Sequence, residues 1–298
     1  MSELEPSVLR WVEASVGSGA GVTSVRMMPT WSVEMHELTV VADDGVQHRL
    51  VLRRYTDERH LGVDPSYDPA NEARVLRLLD GAGVTAPRLY AADLDGGICG
   101  MPAILESWMP GEPADPRDVD RYLRSSAETL VGIHAAVPTR PVDLIDYIPY
   151  AVADGVELRP PSWTSRPGLW ERVLDILDRD PPDPRACFIH RDYHQGNTLT
   201  IDDRVVAVID WVTGAWGPPG IDLARMRLNL VEEVGIESER GFLEAYQAAG
   251  GDPDDRHPYW DLRDAADCLL DSSYRNDLEG HDMDRFETWV ARVLSEIG

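Results

Sequence analysis

Lysine is absent from this chain of 298 residues, so all 28 basic side chains are arginines. Any protein cation that holds a phosphate must therefore be an arginine. Cysteine is scarce as well: Cys99, Cys187 and Cys268 are the only three, and their spacing fits neither a disulfide framework nor a metal site. We therefore expect a reducing, cytoplasmic location.

Long hydrophobic runs are also missing. No stretch approaches the roughly 20 apolar residues of a transmembrane helix, and residues 1–21 lack the basic start and apolar run of a signal peptide. We expect no membrane association. The formal net charge of −25 would repel phosphates, which argues against a nucleic-acid partner. A solvated acidic surface and a cationic substrate are both compatible with this charge.

The first third of the chain has the pattern of strands. Residues 35–41 and 48–53 flank the turn signal at 43–45 and predict an antiparallel hairpin within a strand-rich region, 22–55. A helix should begin after Asp68 and Pro69, a capping residue followed by proline at the first helical position, and end near residue 80. Residues 87–92 and 102–108 are further strand candidates.

Helical periodicity dominates the rest of the chain after a Pro- and Gly-containing connector at 110–113. The exceptions are short apolar runs at 186–189, 198–201 and 205–209, which predict strands. We expect an α+β fold with a small antiparallel-sheet lobe (1–108) and a larger, mainly helical lobe (109–298). The predicted helices are 117–137, 167–179, 220–231, 238–249, 258–276 and 282–296.

The most informative segment lies between two of these strands. Polar residues crowd at 190–197, and Asp210 ends the strand that follows the next hairpin. Phosphoryl transfer explains these residue types, because it requires positioning and charge neutralisation more than covalent chemistry. Asp192 would face the attacking hydroxyl. Asn197 and Asp210 would supply the hard oxygen ligands that Mg²⁺ prefers, and His190 would brace the loop as the second predicted catalytic-site residue.

The motif His190-x-Asp192-x-x-x-x-Asn197, followed by a hairpin and Asp210, resembles the aminoglycoside phosphotransferase family. Gly196 also matches the family pattern, and so does His194. The resemblance implies a bilobal protein-kinase-like fold, a phosphoryl donor of ATP or GTP, Mg²⁺, and a small-molecule hydroxyl acceptor. It further implies that Asp222 braces the catalytic loop. Arg191 departs from the Gly that is common at its position.

An alternative interpretation of the same segment is a transition-metal site. His190, Asp192 and His194 alternate as ligands of such a site can. A metallohydrolase would need further ligands and an open coordination position, and this interpretation leaves Asn197 and Asp210 unexplained.

A kinase-like fold needs a strand cation that grips the phosphates and pairs with a helix carboxylate. Strand alternation puts Val51 and Arg53 on one face, so we expect Arg53 to take this role, with Arg54 or a plain strand-end arginine as alternatives. Glu72 shares a helix face with apolar residues and would need a partner, which Arg53 would supply. The alternative is a first-turn Glu favoured by the helix dipole.

Other nucleotide contacts follow from the resemblance. Ser32 lies where a phosphate-covering loop is expected, but residues 29–34 contain no Gly, which makes close backbone approach harder. Backbone groups of Ser107 and Met109 would meet the base.

The acceptor is open at this stage. Asp264, Asp267 and Asp271 share a helix face. This pattern is typical of an acidic helix face that is exposed to solvent. The alternative is that these acids recognise a cationic acceptor. We expect phosphorylation of an antibiotic such as an aminoglycoside or macrolide. The alternatives are a metabolic amino alcohol or sugar, and a kinase-like module that binds ligand with little transfer.

Overall fold

The computed structural model describes residues 4–30, 33–56, 67–153, 155, 157–182, 185–270 and 283–297. Its contacts divide the chain into two compact units: Met1–Pro110 with Ala207–Thr213, and Gly111–Val206 with Gly214–Gly298. The functional division into residues 1–108 and 109–298 stays a prediction. Over the described ranges, no helix combines the length and the apolar character needed to cross a bilayer.

A five-stranded antiparallel sheet forms the first unit, in the order β1-β2-β3-β5-β4. The predicted hairpin is β2 and β3, paired from Glu34↔Arg54 to Val41↔Gln47. Gly45 lies in its turn with a φ of 81°, which a residue with a Cβ rarely adopts. The strands are β1 (Gly21–Met28), β2 (Glu34–Val41), β3 (Gln47–Arg54), β4 (Leu89–Asp93) and β5 (Ala103–Ser107).

The two faces of this sheet have different partners. Leu50 and Leu52 of β3 pack into an apolar cluster with helix α1 (Pro6–Val16), which the sequence analysis did not predict. Because strand side chains alternate between faces, Val51 and Arg53 point away from α1. Helix α2 (Pro69–Leu79) begins as predicted at Asp68, whose side chain accepts a hydrogen bond from the Ala70 N–H.

Helices dominate the described part of the second unit. The predicted helices are confirmed to within a few residues, except that residues 271–276 and 282 lie outside the described residues. A short helix around residue 150 was not predicted. The helices are α3 (Val119–Ala136), α4 (Tyr150–Ala153), α5 (Pro167–Leu177), α6 (Gly220–Glu233), α7 (Ser238–Ala248), α8 (Pro258–Leu270) and α9 (Met283–Ser295).

Short strands frame the loop that carries the motif. β7 (Cys187–Ile189) pairs with β10 (Ala215–Gly217), and β8 (Thr198–Ile201) lies between β6 (Glu112–Pro113) and β9 (Arg204–Val208). Part of the predicted connector therefore forms a strand, because Glu112 and Pro113 pair with Thr200 and Leu199. Below them, Trp170, Trp260 and Trp289 pack in one apolar cluster with α6 and α8. The motif loop is thus attached to a rigid apolar core.

Candidate active site

Arg53 lies at the centre of a carboxylate cluster in the first unit. Its side chain is 7% exposed; Nη1 donates to Glu72 Oε1 at 2.7 Å and Nη2 to Asp210 Oδ1 at 2.5 Å. Burial works against the charge of Arg53, but the neighbouring carboxylates hold its pKa above the ordinary value. A guanidinium can bridge two carboxylates because its donors form a planar fork.

Arg54 makes different contacts. Its Nη1 donates to Glu34 Oε1 at 2.6 Å and its Nη2 to the Cys99 carbonyl at 2.8 Å. Of the two adjacent arginines on β3, Arg53 therefore pairs with Glu72.

Glu72 is fully buried in the first turn of α2. Its second oxygen accepts a hydrogen bond from the Tyr55 hydroxyl. Burial raises the pKa of Glu72 to about 8, even with Arg53 beside it. Asn71, next on the same helix, donates to the Val212 carbonyl at 2.9 Å. This bond ties α2 to the segment that follows Asp210.

A third carboxylate, Glu106 on β5, was not anticipated from the sequence. It is 5% exposed, its Oε2 has no hydrogen-bond partner among the described residues, and burial raises its pKa to about 7. Arg53 and Asp210 both act on it electrostatically. The sequence pattern that could have predicted its burial is a charged residue within an apolar strand, on the same face of the strand as Ile104. Three carboxylates thus share one guanidinium.

The other predicted nucleotide contacts are only partly described. Ser32 lies outside the described residues. The Ser107 N–H donates to the Arg88 carbonyl at 2.9 Å, and the Ser107 hydroxyl donates to Met109 Sδ at 3.6 Å. The Ser107 N–H is therefore already bonded within the first unit. A contact from Ser107 to a base would have to use another atom.

In the second unit, Asp222 holds the start of the motif loop. This carboxylate on α6 is fully buried and accepts from the His190 N–H at 2.9 Å and the Arg191 N–H at 2.6 Å. Arg191 has a φ of 72°, so the chain turns sharply there. The Asp192 N–H then donates to His190 Nδ1 at 3.3 Å. These bonds fix the backbone on both sides of Arg191.

Asp192 is the partly exposed carboxylate of this loop. Its side chain is 30% exposed, with Arg225 Nε at 3.4 Å from one oxygen and His194 Nε2 at 3.6 Å from the other. Burial alone would raise the pKa of Asp192, but His194, Arg225 and His190 hold it well below the usual range. Asp192 is therefore ionised and suited to accept a hydrogen bond from a hydroxyl.

Asn197 orients this carboxylate. Its Nδ2 donates to the Asp192 carbonyl at 2.9 Å and to Asp192 Oδ2 at 3.1 Å. Since the nitrogen is used in this way, the amide oxygen is the atom of Asn197 that remains to face a cation.

Asp210 follows β9 with a φ of 64° and keeps its side chain 37% exposed. One oxygen binds Arg53, and the exposed fraction leaves the carboxylate accessible to a ligand. Carboxylate and amide oxygens are the donors that Mg²⁺ prefers. The residue types at Asn197 and Asp210 therefore fit a magnesium ion.

The alternating histidines are engaged inside the loop. His194 Nδ1 accepts from the Gly196 N–H at 3.1 Å, and a Cβ at position 196 would lie 2.7 Å from the His194 ring. His190 is fully buried against Tyr193. Across the described ranges, no group of three or more His, Cys, Asp or Glu residues is placed to hold a metal ion.

The acids of α8 do not form a solvated face, and that prediction was wrong. Asp264 and Asp267 are 2% and 4% exposed, and Asp271 lies outside the described residues. Asp264 pairs with Arg225 at 3.1 Å, and Asp267 accepts from the Tyr150 N–H at 3.0 Å. The spacing did place these two residues on one face, but that face packs inward because Arg225 and the Tyr150 N–H supply partners for it.

Comparisons with known proteins concern the family and the fold of this chain. The model of the phosphotransferase enzyme family matches residues 36–260. The N-acetylmuramate/N-acetylglucosamine kinase of Pseudomonas aeruginosa is 28% identical over 199 residues, which are 62% of this chain and 57% of that kinase. Acyl-CoA dehydrogenase family member 10 of Mus musculus is 26% identical over 169 residues, 51% of this chain and 16% of that protein. The chain thus spans little more than half of the first relative.

Solved structures extend the similarity over the whole chain. A macrolide 2'-phosphotransferase type I is 20% identical and has a TM-score of 0.61, with 100% of this chain and 99% of that chain covered. Aminoglycoside phosphotransferase APH(4)-Ia, solved as a ternary complex with AMP-PNP and hygromycin B, is 18% identical and has a TM-score of 0.65. There, 98% of this chain and 99% of that chain are covered. Similarity at these identities establishes the fold and leaves the substrate open.

Proposed function

This chain belongs to the phosphotransferase enzyme family, and from that premise we propose that it moves the γ-phosphoryl group of ATP or GTP onto a hydroxyl of a small molecule. The observation that carries the proposal is the geometry of Asp192. Its ionised carboxylate is partly exposed, oriented by the Asn197 amide, and set on a loop whose backbone Asp222 fixes. A carboxylate held in this way serves to align an attacking hydroxyl.

Each residue of the motif loop has a role in this proposal. Asp192 is the catalytic carboxylate, which accepts the hydrogen bond of the acceptor hydroxyl and takes its proton as the new bond forms. His190 positions Asp192 through the bond from the Asp192 N–H to its ring. Asp222 braces the loop and touches no substrate. A low pKa makes Asp192 a weak base, so alignment of the hydroxyl is its larger contribution.

The first unit supplies the nucleotide side of the reaction. Arg53 binds phosphate oxygens, and Glu72 holds its guanidinium in place through the bond from Nη1. The backbone near Ser107 and Met109 meets the base. In this proposal residues 1–108 hold the nucleotide, and residues 109–298 carry the catalytic loop and the acceptor site.

Magnesium is the metal of this proposal, with Asn197 and Asp210 as its protein ligands. When bound, Mg²⁺ would neutralise charge on the transferred phosphate. The protein contributes two hard oxygen donors, the Asn197 amide oxygen and the Asp210 carboxylate.

Two acceptor classes remain, and each has its own support. The first is an antibiotic, since the solved structures of similar fold include macrolide and aminoglycoside phosphotransferases. The second is a sugar, because the curated relative acts on N-acetylmuramate and N-acetylglucosamine according to its name. Among the described residues, Asp264 and Asp267 of α8 are buried and are therefore not exposed to bind a cationic acceptor.

A coupled assay of nucleotide consumption tests the proposal. The full-length protein is incubated with Mg²⁺, ATP or GTP, and a panel of macrolides, aminoglycosides, N-acetylated amino sugars and amino alcohols. We expect acceptor-dependent turnover by the wild-type protein and by Asp175→Asn, an exposed control on α5, and none by Asp192→Asn. Full turnover by Asp192→Asn contradicts the mechanism. Nucleotide binding without any turnover above the blank would instead identify a binding module.

A further inference from the structure

A chain of hydrogen bonds runs from the protein surface to the backbone of the motif loop, entirely within the second unit. Arg185, whose side chain is 51% exposed, donates from Nε and Nη2 to the two oxygens of Asp255 at 3.0 and 2.7 Å. The Tyr246 hydroxyl donates to Asp255 Oδ2 at 2.7 Å. Tyr246 Oη also lies 2.9 Å from His134 Nδ1, and His134 Nε2 lies 3.1 Å from Asp222 Oδ2.

The tyrosine can supply only one proton to this chain. Asp255 is 5% exposed and accepts three hydrogen bonds, two of them from the Arg185 guanidinium. Both of its oxygens therefore act as acceptors in this chain of bonds. If the hydroxyl turned its proton toward His134, oxygen lone pairs of Tyr246 and Asp255 would face each other at 2.7 Å. The hydroxyl therefore donates to Asp255 and accepts from His134.

The same reasoning applies at the other side of the His134 ring. Asp222 is fully buried and accepts from two backbone N–H groups, so its oxygens also act as acceptors. A lone pair on His134 Nε2 would face a carboxylate lone pair across 3.1 Å. Both ring nitrogens must then carry hydrogen, since both neighbours are acceptors.

We propose that Tyr246 and Asp255 are positioning residues for the catalytic loop: together with Arg185 they keep His134 as an imidazolium cation, which fixes Asp222 beneath His190 and Arg191. This chain of hydrogen bonds, which we call the relay, joins α3 to α6, α7 and the turn at 253–255. Its effect on catalysis rests on the proposed phosphotransferase function. The protonation state of His134 does not.

The groups around His134 account for a buried cation at this place. Its partners are the Asp222 carboxylate on α6 and the Tyr246 hydroxyl on α7, with the ring of Tyr246 in an edge contact at 5.9 Å between centroids. Asp255 and Arg185 stand one step further away. On β7, which also packs against α3, burial raises the pKa of the Cys187 thiol to about 12, so that neighbour is neutral. If His134 lost one of its two ring protons, a bare ring nitrogen would face an acceptor oxygen of Tyr246 or Asp222 in a buried site, with no hydrogen between them.

Nitrogen-15 NMR of the full chain tests the protonation state directly. His134 is identified by comparison with His134→Gln, and we expect both of its ring nitrogens to be protonated at about pH 7. Tyr246→Phe keeps the phenyl ring and removes the hydroxyl that contacts His134 Nδ1. Because this acceptor is lost, the His134 imidazole should become neutral in the variant. A wild-type His134 with one bare nitrogen at this pH overturns the proposal, whatever the activity of the protein.

Backbone hydrogen exchange tests the positioning role without any assay of activity. Tyr246→Phe and Asp255→Asn should speed exchange at the His190 and Arg191 N–H groups by about tenfold relative to the most protected amides, since the His134 ring that contacts their acceptor Asp222 is no longer held in place by Tyr246. The control is Tyr259→Phe, another buried tyrosine, whose hydroxyl accepts only a 3.4 Å bond from Arg263 among the described contacts. Unchanged exchange in both relay variants overturns the positioning role.

Kinetics then connects the relay to the reaction. In the relay variants we expect kcat to fall by about tenfold with the nucleotide KM unchanged, because the loop and not the nucleotide site is altered. Tyr259→Phe should keep both constants. If kcat stays within about twofold in an active enzyme, the link to catalysis fails. If the wild-type protein transfers no phosphoryl group, the proposed function fails, and the NMR and exchange results still decide the relay.

Discussion

Asn197 donates its side-chain amide to both the carbonyl and the carboxylate of Asp192, at 2.9 and 3.1 Å. One side chain thus fixes the backbone and the rotamer of the proposed catalytic carboxylate. It also determines its own orientation, because the amide oxygen then points away from Asp192. The predicted catalytic residue and the predicted metal ligand are therefore one hydrogen-bonded pair.

The first prediction follows from this pair. Asn197→Ala removes an orienting donor and an oxygen ligand together, so we expect kcat to fall by roughly 100-fold or more. Asn197→Asp keeps an oxygen ligand but places a second carboxylate against Asp192, and it should be impaired as well through like-charge repulsion. Steady-state rates across a Mg²⁺ titration measure both effects. Activity of Asn197→Ala within twofold of the wild type would contradict the assigned role.

Much of this site could be predicted from the sequence because its residues are close along the chain. The bonds among Asp192, His194, Gly196 and Asn197 span five residues or fewer, and strand alternation placed Arg53 opposite the α1 face of the sheet. The capping pattern at Asp68 and Pro69 likewise fixed the start of α2. Short-range geometry and periodicity determine such features.

Other parts of the site depend on contacts between distant segments. Glu106 reads as an ordinary strand residue until the structure shows it buried beside Arg53. The sequence spacing predicts that Asp264 is an exposed acid. Its burial is explained by the ion pair with Arg225 of α6, which the sequence does not reveal. Helix α1 had a signal in Pro6 and in the spacing of Val8 and Val12. That signal is weak in a helix of 11 residues.

The second prediction concerns the pH dependence of stability at Glu106. Its pKa is raised by burial from 4.5 to about 7. In the unfolded chain the carboxyl releases its proton near the lower value. Between the two pKa values the folded state holds more protons, so stability falls as pH rises through this window. Glu106→Gln removes this titration. The unfolding free energy of the variant minus that of the wild type should therefore be roughly 1–3 kcal/mol higher at about pH 8 than at about pH 4.

Urea unfolding at both pH values measures this difference. Glu112→Gln is the control, since Glu112 is exposed on β6. An equal effect of Glu106→Gln at the two pH values would show that Glu106 does not titrate in this window.

The third prediction is a double-mutant cycle on Arg225 and Asp264. Arg225→Met leaves Asp264, which is 2% exposed, without its cation, and Asp264→Leu leaves Arg225 without this anion. Arg225→Met should lose about 3–5 kcal/mol of unfolding free energy, because an unpaired buried charge costs more than the pair contributes. Asp264→Leu should lose less, because Asp192 remains beside Arg225. The double variant should recover a large part of the loss, since neither charge remains.

Activity separates the two effects of Arg225. The guanidinium also lies 3.4 Å from Asp192, so the double variant should stay impaired in kcat even where its stability is recovered. Additive losses of stability in the cycle would show that the two residues do not interact. A double variant with wild-type kcat would show that Arg225 has no influence on Asp192.

The last prediction contrasts the two adjacent arginines of β3. Arg53 bridges Glu72 and Asp210 with two different nitrogens, whereas Arg54 binds Glu34 and the Cys99 carbonyl. A lysine carries one compact ammonium and cannot reproduce the planar fork. Arg53→Lys should therefore raise the nucleotide KM by about tenfold, while Arg54→Lys, the matched control, should leave this KM unchanged. The measurement is KM for ATP and GTP at a saturating acceptor concentration. A larger rise in Arg54→Lys than in Arg53→Lys would transfer the phosphate-holding role to Arg54, and equal effects would indicate that the strand as a whole was disturbed.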